Sequence, residues 1–293
     1  MTKKILLTGA SGFIGKNLCQ HFNEKYRLLT PSHKKLDLAD TEKVYKYLSK
    51  NKPDVVIYTA YIGGARNHPN TDIVYPNLKM FVNLLRCESC FKKMIFLGSG
   101  AEYNKSRALK KVKESDFGKS VPDDEYGFSK FICSKLIEKS KKIISLRLFA
   151  IYGPGEDYRI RFISNAICKM LFNLPITINQ NVLFDYLYIK DLAGIIDNFS
   201  HHKNKYKFYN IGRGESVDLV SIAKLILKIS GKKLPIKILK KGLNKEYTCN
   251  ITRLRKEIPD FKYTSFEKSI KELIEYYKAN LTDIDKKELY EDN

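Results

Sequence analysis

The segment Thr8-Gly9-Ala10-Ser11-Gly12-Phe13-Ile14-Gly15 follows directly on the apolar run Ile5-Leu6-Leu7 and constrains the fold more than any other part of the chain. Residues 3–8 read as a short buried strand. Residues 12–23 read as a helix with Phe13, Ile14, Leu18 and Phe22 on one side. Gly9 allows the tight strand-to-helix turn. Gly12 lets the backbone approach a pyrophosphate with no Cβ in the way, and Gly15 lets the helix lie close to the sheet. The helix N-terminus then offers free N–H groups and a partial positive charge to phosphates. The spacing is G-x-x-G-x-x-G, so the turn gains its meaning from the strand before it and the helix after it.

Strand and helix alternate through the first half. Strands are expected at 3–8, 26–30, 54–59, 94–98 and 143–149, and helices at 12–23, 41–50, about 72–90 and about 125–141. This order predicts a parallel, doubly wound α/β sheet with right-handed crossovers. Pro53-Asp54 marks the turn before Val55-Val56-Ile57. After Tyr152-Gly153-Pro154-Gly155 the pattern is less regular. Helices are expected at about 160–172, 190–200, 218–230 and 265–279, with strands near 183–189 and at 208–211. The polar residues from Thr282 onward read as a frayed tail.

A chain of 293 residues can bury a substantial core, in one large domain or two. No apolar run reaches the roughly 18–20 residues of a membrane span, and Ile5-Leu6-Leu7 is too short for a secretory leader. Cys19, Cys87, Cys90, Cys133, Cys168 and Cys249 are scattered, and Cys87-x-x-Cys90 has no second pair to complete a zinc site. The expectation is a cytoplasmic protein with reduced thiols and no metal. The formal net charge is +21. Lysines are spread along the whole chain with no basic tail, which points first to a solvated basic surface and second to steering of anionic ligands. No membrane or nucleic-acid partner is expected.

Tyr126 and Lys130 lie four apart in Tyr126-Gly127-Phe128-Ser129-Lys130, on one face of the expected helix. Hydride transfer at a carbon bearing oxygen requires a proton to move at that oxygen. A phenol, with a pKa of about 10, is poorly matched to this task until a neighbouring ammonium stabilises its anion. Lys130 is placed to do so and to hydrogen-bond a nicotinamide ribose. Ser99 ends the strand Met94-Ile95-Phe96-Leu97-Gly98 and is placed to hydrogen-bond the same substrate oxygen. Strand carboxyl ends are where doubly wound sheets bind ligands.

These segments resemble the extended short-chain dehydrogenase/reductase family of nucleotide-sugar epimerases, dehydratases and reductases. Thr8–Gly15 resembles its TGxxGxxG. Asp37-Leu38-Ala39-Asp40 resembles its adenine-contacting motif, and Ile57-Tyr58-Thr59-Ala60, followed by Tyr61, its cofactor-lining strand end. Leu146–Gly155 is similar to RLxNxYGPG, Asp185–Ala193 to DYIYVDDLA, and Tyr209–Gly212 to YNIG. The resemblance implies a Rossmann domain, residues 1–152 with returning segments at about 188–212, and a smaller mixed α/β substrate domain, residues 153–187 and 213–293. It implies cofactor contacts from Gly9, Ser11, Gly12, Phe13, Ile14, Gly15, Asp37, Leu38, Thr59, Ala60, Tyr61, Tyr126 and Lys130. A homodimer through the helices at about 72–90 and 125–141 is the family expectation.

Departures from the family pattern narrow the chemistry. Ala101 stands where dehydratases carry an acid two residues after the catalytic serine or threonine. Glu102, one residue later, is expected to point to the other face of an extended segment. The chain resembles the GDP-fucose synthase subgroup around Tyr58–Gly64 and Phe96–Ser99, but Ala101 and Arg161 replace that subgroup's epimerising Cys and His. Plain redox at one sugar carbon remains. The expected reaction is NADPH-dependent reduction of the C4 keto group of a GDP-linked 4-keto-6-deoxy sugar, with Tyr126 as proton donor. A 4-epimerase or a C4 dehydrogenase needs the same residues, and a non-catalytic NAD(P)-sensing protein would share the fold. The second strand ends in Leu28–Lys34 without an acid, so Ser32, His33 and Lys34 are read as a 2′-phosphate site favouring NADPH over NADH. Arg161, Asn165 and Lys169 share one helix face where the family approaches the sugar nucleotide. Ala150 and Phe184 replace a usual Asn and Arg, and Phe184 is read as packing on a base or filling core.

Overall fold

The computed structural model describes residues 2–63 and 72–290. In chain order its strands are β1 (Lys4–Thr8), β2 (Arg27–Leu29), β3 (Val55–Tyr58), β4 (Lys93–Ser99), β5 (Leu109–Val112), β6 (Ile143–Leu148) and β7 (Ile151–Tyr152). They continue as β8 (Ile176–Asn181), β9 (Leu183–Phe184), β10 (Leu187–Tyr188), β11 (Phe208–Ile211), β12 (Val217–Asp218), β13 (Ile236–Leu243) and β14 (Tyr247–Cys249). The helices are α1 (Phe13–Phe22), α2 (Thr41–Asn51), α3 (Val74–Arg86), α4 (Glu125–Ile137) and α5 (Phe162–Leu171). They continue as α6 (Ile189–His201), α7 (Leu219–Ser230), α8 (Thr252–Glu257) and α9 (Phe266–Ala279).

Six strands pair in parallel in the order β11-β6-β4-β3-β1-β2. Side chains alternate across this sheet with the strand period of two. Ile5 and Leu7 of β1, Ile57 of β3 and Ile95 and Leu97 of β4 enter one core, with Leu18 and Phe22 of α1 and Ile195, Ile196 and Phe199 of α6. Leu6, Val56, Tyr58, Met94 and Phe96 enter the other, with Val44 and Leu48 of α2, Phe81 and Leu84 of α3 and Cys133 and Ile137 of α4. Both sheet faces are thus covered by helices, which is why the strands read as continuous apolar runs. Each such buried aliphatic side chain contributes about 1.5–3 kcal/mol. The fold is the Rossmann-type α/β arrangement that the alternation predicts.

Among the described residues there are three smaller sheets: β12-β9-β14-β5, the pair β13-β8 and the pair β10-β7. The sequence reading did not anticipate β5. Its buried residues Leu109 and Val112 flank two exposed lysines, Lys111 has a φ of 45°, and the register with β14 shifts there, so no period-two pattern exists to read. The strand expected at 183–189 is two short strands separated by Asp185 and Tyr186. The tail also differs from expectation. Ile284 and Leu289 are buried against the core, and the Asp285 N–H donates to the Tyr158 hydroxyl, so two apolar residues anchor a polar segment.

A buried polar network ties the carboxyl ends of the central strands together. Glu102 is fully buried, and its Oε2 accepts from Arg147 Nε at 2.7 Å and from the Ser134 hydroxyl at 2.7 Å. Arg147 Nη1 donates to the Tyr103 hydroxyl, which donates to Asn210 Oδ1 at 2.7 Å. Asn210 in turn donates its backbone N–H to Glu114. Removing one partner of a buried pair strands the other charge and costs about 3–5 kcal/mol. Glu102→Leu is therefore expected to lower the unfolding free energy by about that amount, read from urea melts; a loss of less than about 1 kcal/mol, the ordinary value of an exposed pair, would contradict this account.

Candidate active site

The turn after β1 builds an open cradle. Gly9 has a φ of +68°, and a Cβ there would meet Thr59 Oγ1 at 2.7 Å and Ala60 N at 2.8 Å. A Cβ on Gly15 would meet Gly9 O at 2.1 Å, so only glycine lets α1 pack against the turn. Gly12 caps α1 without a side-chain bond, and a Cβ there would meet only Gly9 O, at 3.5 Å. The space in front of Gly12 is thus free for a ligand, and the first N–H groups of α1 face it. Ser11 is exposed beside it, and Phe13 and Ile14 are half-buried. Thr59 Oγ1 donates to Thr8 O at 2.6 Å, locking the ends of β1 and β3 together. An uncapped helix N-terminus with room where a Cβ would stand fits the pyrophosphate of a dinucleotide.

The flanking residues sit on the same sheet edge. Asp37 accepts the Ala39 N–H at 2.9 Å, and the buried Leu38 carbonyl accepts from Asn83. Ser32, His33 and Lys34 are all exposed after β2, and His33 Nε2 lies 3.4 Å from Asp37 Oδ1. Gly64, the last residue of the Tyr58–Gly64 stretch, lies outside the described residues.

Ser99, Tyr126 and Lys130 converge at the end of β4. Residues Gly100–Tyr103 form a 3-10 turn, not the expected extended segment. Ser99 caps it, accepting the Ala101 N–H at 3.1 Å, while its own N–H donates to Glu102 Oε1 at 2.9 Å. Glu102 therefore points inward to the serine backbone and to Arg147, because a one-turn helix brings residues three apart together. Asp124 caps α4 by accepting the Gly127 N–H at 3.0 Å, which puts Tyr126 in the first turn. A Cβ on Gly127 would stand 2.8 Å from Ala101 O, so glycine lets α4 press against the Ser99 turn. The Tyr61 ring meets Tyr126 edge-on at 5.0 Å, and its hydroxyl lies 3.1 Å from Ser129 Oγ.

Desolvation in this cleft raises the Tyr126 pKa, against the Ser99 hydroxyl and the Arg161 charge, which pull it down. Lys130 is engaged elsewhere. Its Nζ donates to Leu97 O at 2.8 Å and lies 4.8 Å from the Tyr61 ring and 4.9 Å from the Phe96 ring. The Arg161 charge acts on the phenol, and Lys105 Nζ lies 5.7 Å from its ring centre; the sequence reading gave Arg161 to the sugar nucleotide.

Arg161 precedes α5 with its side chain exposed, whereas Asn165 and Lys169 are buried within that helix. Asn165 Nδ2 donates to Tyr158 O at 3.0 Å, and Lys169 Nζ donates to Thr177 Oγ1. The three share a helix side, but only Arg161 opens toward Tyr126. Phe184 packs on Tyr186 at 5.3 Å and Tyr247 at 5.9 Å, as an aromatic cluster. Among the described residues no group of His, Cys, Asp and Glu is arranged to hold a metal ion.

Burial lowers Lys130 to about 8. An unfolded lysine titrates near 10.4. Between these values the unfolded chain holds a proton the folded chain has released, so the Lys130 contribution to stability rises with pH across that window. Below it the buried ammonium costs on the order of 3 kcal/mol. Lys130→Met removes this cost, so the stability of the variant relative to wild type should be greatest below pH 8 and decline toward pH ~10. Denaturant melts across that range check it; a pH-independent difference would contradict the assignment.

Residues 5–212 match the profile of the NAD dependent epimerase/dehydratase family. Over 258 residues the chain is 27% identical to GDP-L-colitose synthase of Yersinia pseudotuberculosis, covering 78% of this chain and 83% of that one. A GDP-L-fucose synthetase from Naegleria fowleri superposes with a TM-score of 0.83 at 18% identity, covering 96% of this chain and 94% of that one. The GDP-mannoheptose C4 reductase of Campylobacter jejuni, solved with NADP bound, superposes with a TM-score of 0.78 at 21% identity, covering 94% of this chain and 98% of that one. At those identities the superpositions bear on the fold, while the profile spans most of the chain and includes the glycine turn, Ser99, Tyr126 and Lys130. The chain belongs to the NAD-dependent epimerase/dehydratase family and is an enzyme of the extended short-chain dehydrogenase/reductase kind.

Proposed function

We propose that this enzyme reduces the C4 keto group of a GDP-linked 4-keto-6-deoxy sugar with NADPH, without epimerising C3 or C5. The observation that carries the reading is Ala101. Ala101 is buried, its N–H on Ser99 Oγ and its carbonyl against Gly127, and it stands at the position where dehydratases carry an acid and the C3/C5-epimerising subgroup a thiol, beside an intact Ser99, Tyr126 and Lys130. An arginine at position 161 supplies no base to abstract a proton next to the carbonyl. The GDP-sugars in the names of the relatives, and the NADP in the heptose reductase, support the choice of nucleotide and cofactor.

Tyr126 is the proton donor. Desolvation keeps it a phenol at neutral pH, the state a donor needs. Ser99 hydrogen-bonds the substrate oxygen and afterwards the phenolate. Arg161 stabilises the same phenolate and lies at the open side of the cleft, where a pyrophosphate enters. Gly9, Ser11, Gly12 and Gly15 with the N-terminus of α1 hold the cofactor pyrophosphate, and the exposed Ser32, His33 and Lys34 hold its 2′-phosphate. Lys130 and Tyr61 line the ribose side. The nicotinamide ring supplies the hydride when bound.

The reading extends to quaternary structure and compartment. Leu78, Val82 and Leu85 of α3 and Phe128, Ile132 and Leu136 of α4 are half-buried at helical spacing, which suits pairing of two copies. Light scattering of the purified chain should give twice the mass of one chain, and a monomer would refute this part. All six cysteines are free thiols, which fits the cytoplasm.

Incubation with a panel of 4-keto nucleotide sugars and NADPH should oxidise the cofactor with at least one GDP-linked member. NMR of the product should show a C4 hydroxyl with C3 and C5 unchanged. A product inverted at C4 from an alcohol substrate would establish the 4-epimerase instead. Tyr126→Phe should lower turnover by about 10²–10⁴ and leave cofactor affinity intact. Equal turnover with NADH would refute the 2′-phosphate site.

A further inference from the structure

Ser99 faces a second tyrosine that belongs to none of the motifs. Tyr247 lies on β14, paired with Leu109 of β5 and Phe184 of β9. Its ring packs 4.9 Å from Phe149 and 5.9 Å from Phe184. Its hydroxyl reaches the Ser99 turn, so that a Cβ on Gly100 would stand 2.5 Å from it. Tyr247 and Tyr126 both interact with the Ser99 side chain, and the two phenols lie within electrostatic reach of each other.

The Ser99 hydroxyl has one proton and two acceptor sites. One acceptor site takes the Ala101 N–H. The single proton cannot serve both phenols at once, so the surroundings decide which receives it. Tyr126 is faced by the cations Arg161 and Lys105 and by the carboxylates Asp124 and Glu102. Tyr61 meets it edge-on, and Lys130 follows one turn along α4. Tyr247 is enclosed by Phe149 and Phe184, and the titratable groups acting on it are Tyr126, Cys249 and Glu102, which all oppose its ionisation. Tyr247 therefore remains a neutral donor while Tyr126 is the phenol that exchanges its proton.

We propose that Tyr247 is a positioning residue: it donates its O–H to Ser99 Oγ and so turns the Ser99 proton toward Tyr126. The chain of donors runs Tyr247 to Ser99 to Tyr126, and each hydrogen bond strengthens the next. Tyr247 keeps its own proton throughout. The proposal deepens the reading of Tyr126 as the proton donor and rests on it.

The test needs no substrate. Tyrosine labelled with ¹³C at Cζ reports the ionisation of each phenol by NMR, and the Tyr126 signal is assigned by its loss in Tyr126→Phe. Tyr247→Phe keeps the ring against Phe149 and Phe184 and removes only the donor. The Tyr126 midpoint is expected to rise by ~0.5–1 pH unit in this variant. In a Ser99→Ala background the same substitution should add no further shift. An unchanged or lowered midpoint, or a shift that persists without Ser99, would overturn the proposal. So would a wild-type titration in which Tyr247 ionises before Tyr126, which needs no stable Tyr247→Phe protein once the signals are assigned. Failure of every 4-keto sugar to turn over would sink the reductase reading and leave these titrations standing, so the two can fail separately.

Discussion

Both oxygens of the Glu102 carboxylate are used inside the sheet edge, one on the Ser99 N–H and the other on the Arg147 guanidinium and the Ser134 hydroxyl. Burying a carboxylate costs several kcal/mol, offset only when its partners are placed well. The neighbouring sequence is shaped by that requirement. A Cβ on Gly98 would stand 2.3 Å from Glu102 Oε1, so glycine precedes the serine. Arg147 comes from β6, beside β4, and its plane lies 4.1 Å from the Phe117 ring centre and 4.6 Å from that of Phe208. Through Tyr103 the network reaches Asn210 on β11, so one buried charge pair fixes the ends of three adjacent strands.

This arrangement separates what holds the site from what acts in it. Asp185 has the same structural character as Glu102. It accepts the Arg213 and Gly214 N–H groups, and the space a Cβ would need on Gly212 is filled by its carboxylate. Asp191 accepts from the backbone and hydroxyl of Thr264. The acidic residues of the Asp185–Ala193 stretch are thus brackets between loops. The hydroxyls of Ser99 and Tyr126, the free N–H groups of α1 and the Arg161 cation suit the anionic ligand and the proton donation proposed above.

The glycine turn, the strand–helix alternation and the Tyr126–Lys130 spacing were legible because each depends on contacts within a few residues or on one strong periodicity. The geometry of Ser99 was also written locally. Ser99-x-x-Glu102 has the spacing of a capping box, which signals a helical turn and an inward glutamate. Reading the segment as extended missed that signal. Arg161, Asn165 and Lys169 show the limit of helical spacing: it placed the three on one side of α5 but could not tell that every position from Ile163 to Met170 is buried. Tyr247 had no local signal. It meets Ser99 only because β14 pairs with β5 and β9, contacts between segments far apart in the chain.

In the reduction proposed above, the balance at Tyr126 suits a proton donor. Desolvation holds the proton on, while Ser99 and Arg161 ease its departure. In reduction the phenol starts protonated, so desolvation works with the chemistry and the two stabilising groups lower the cost of the anion left behind. In oxidation the phenol must lose its proton before substrate can give one up, and desolvation opposes that first step. Lys130 is held by the Leu97 carbonyl. In the proposed reduction Tyr126 takes the donating role, with the Arg161 charge easing the anion it leaves.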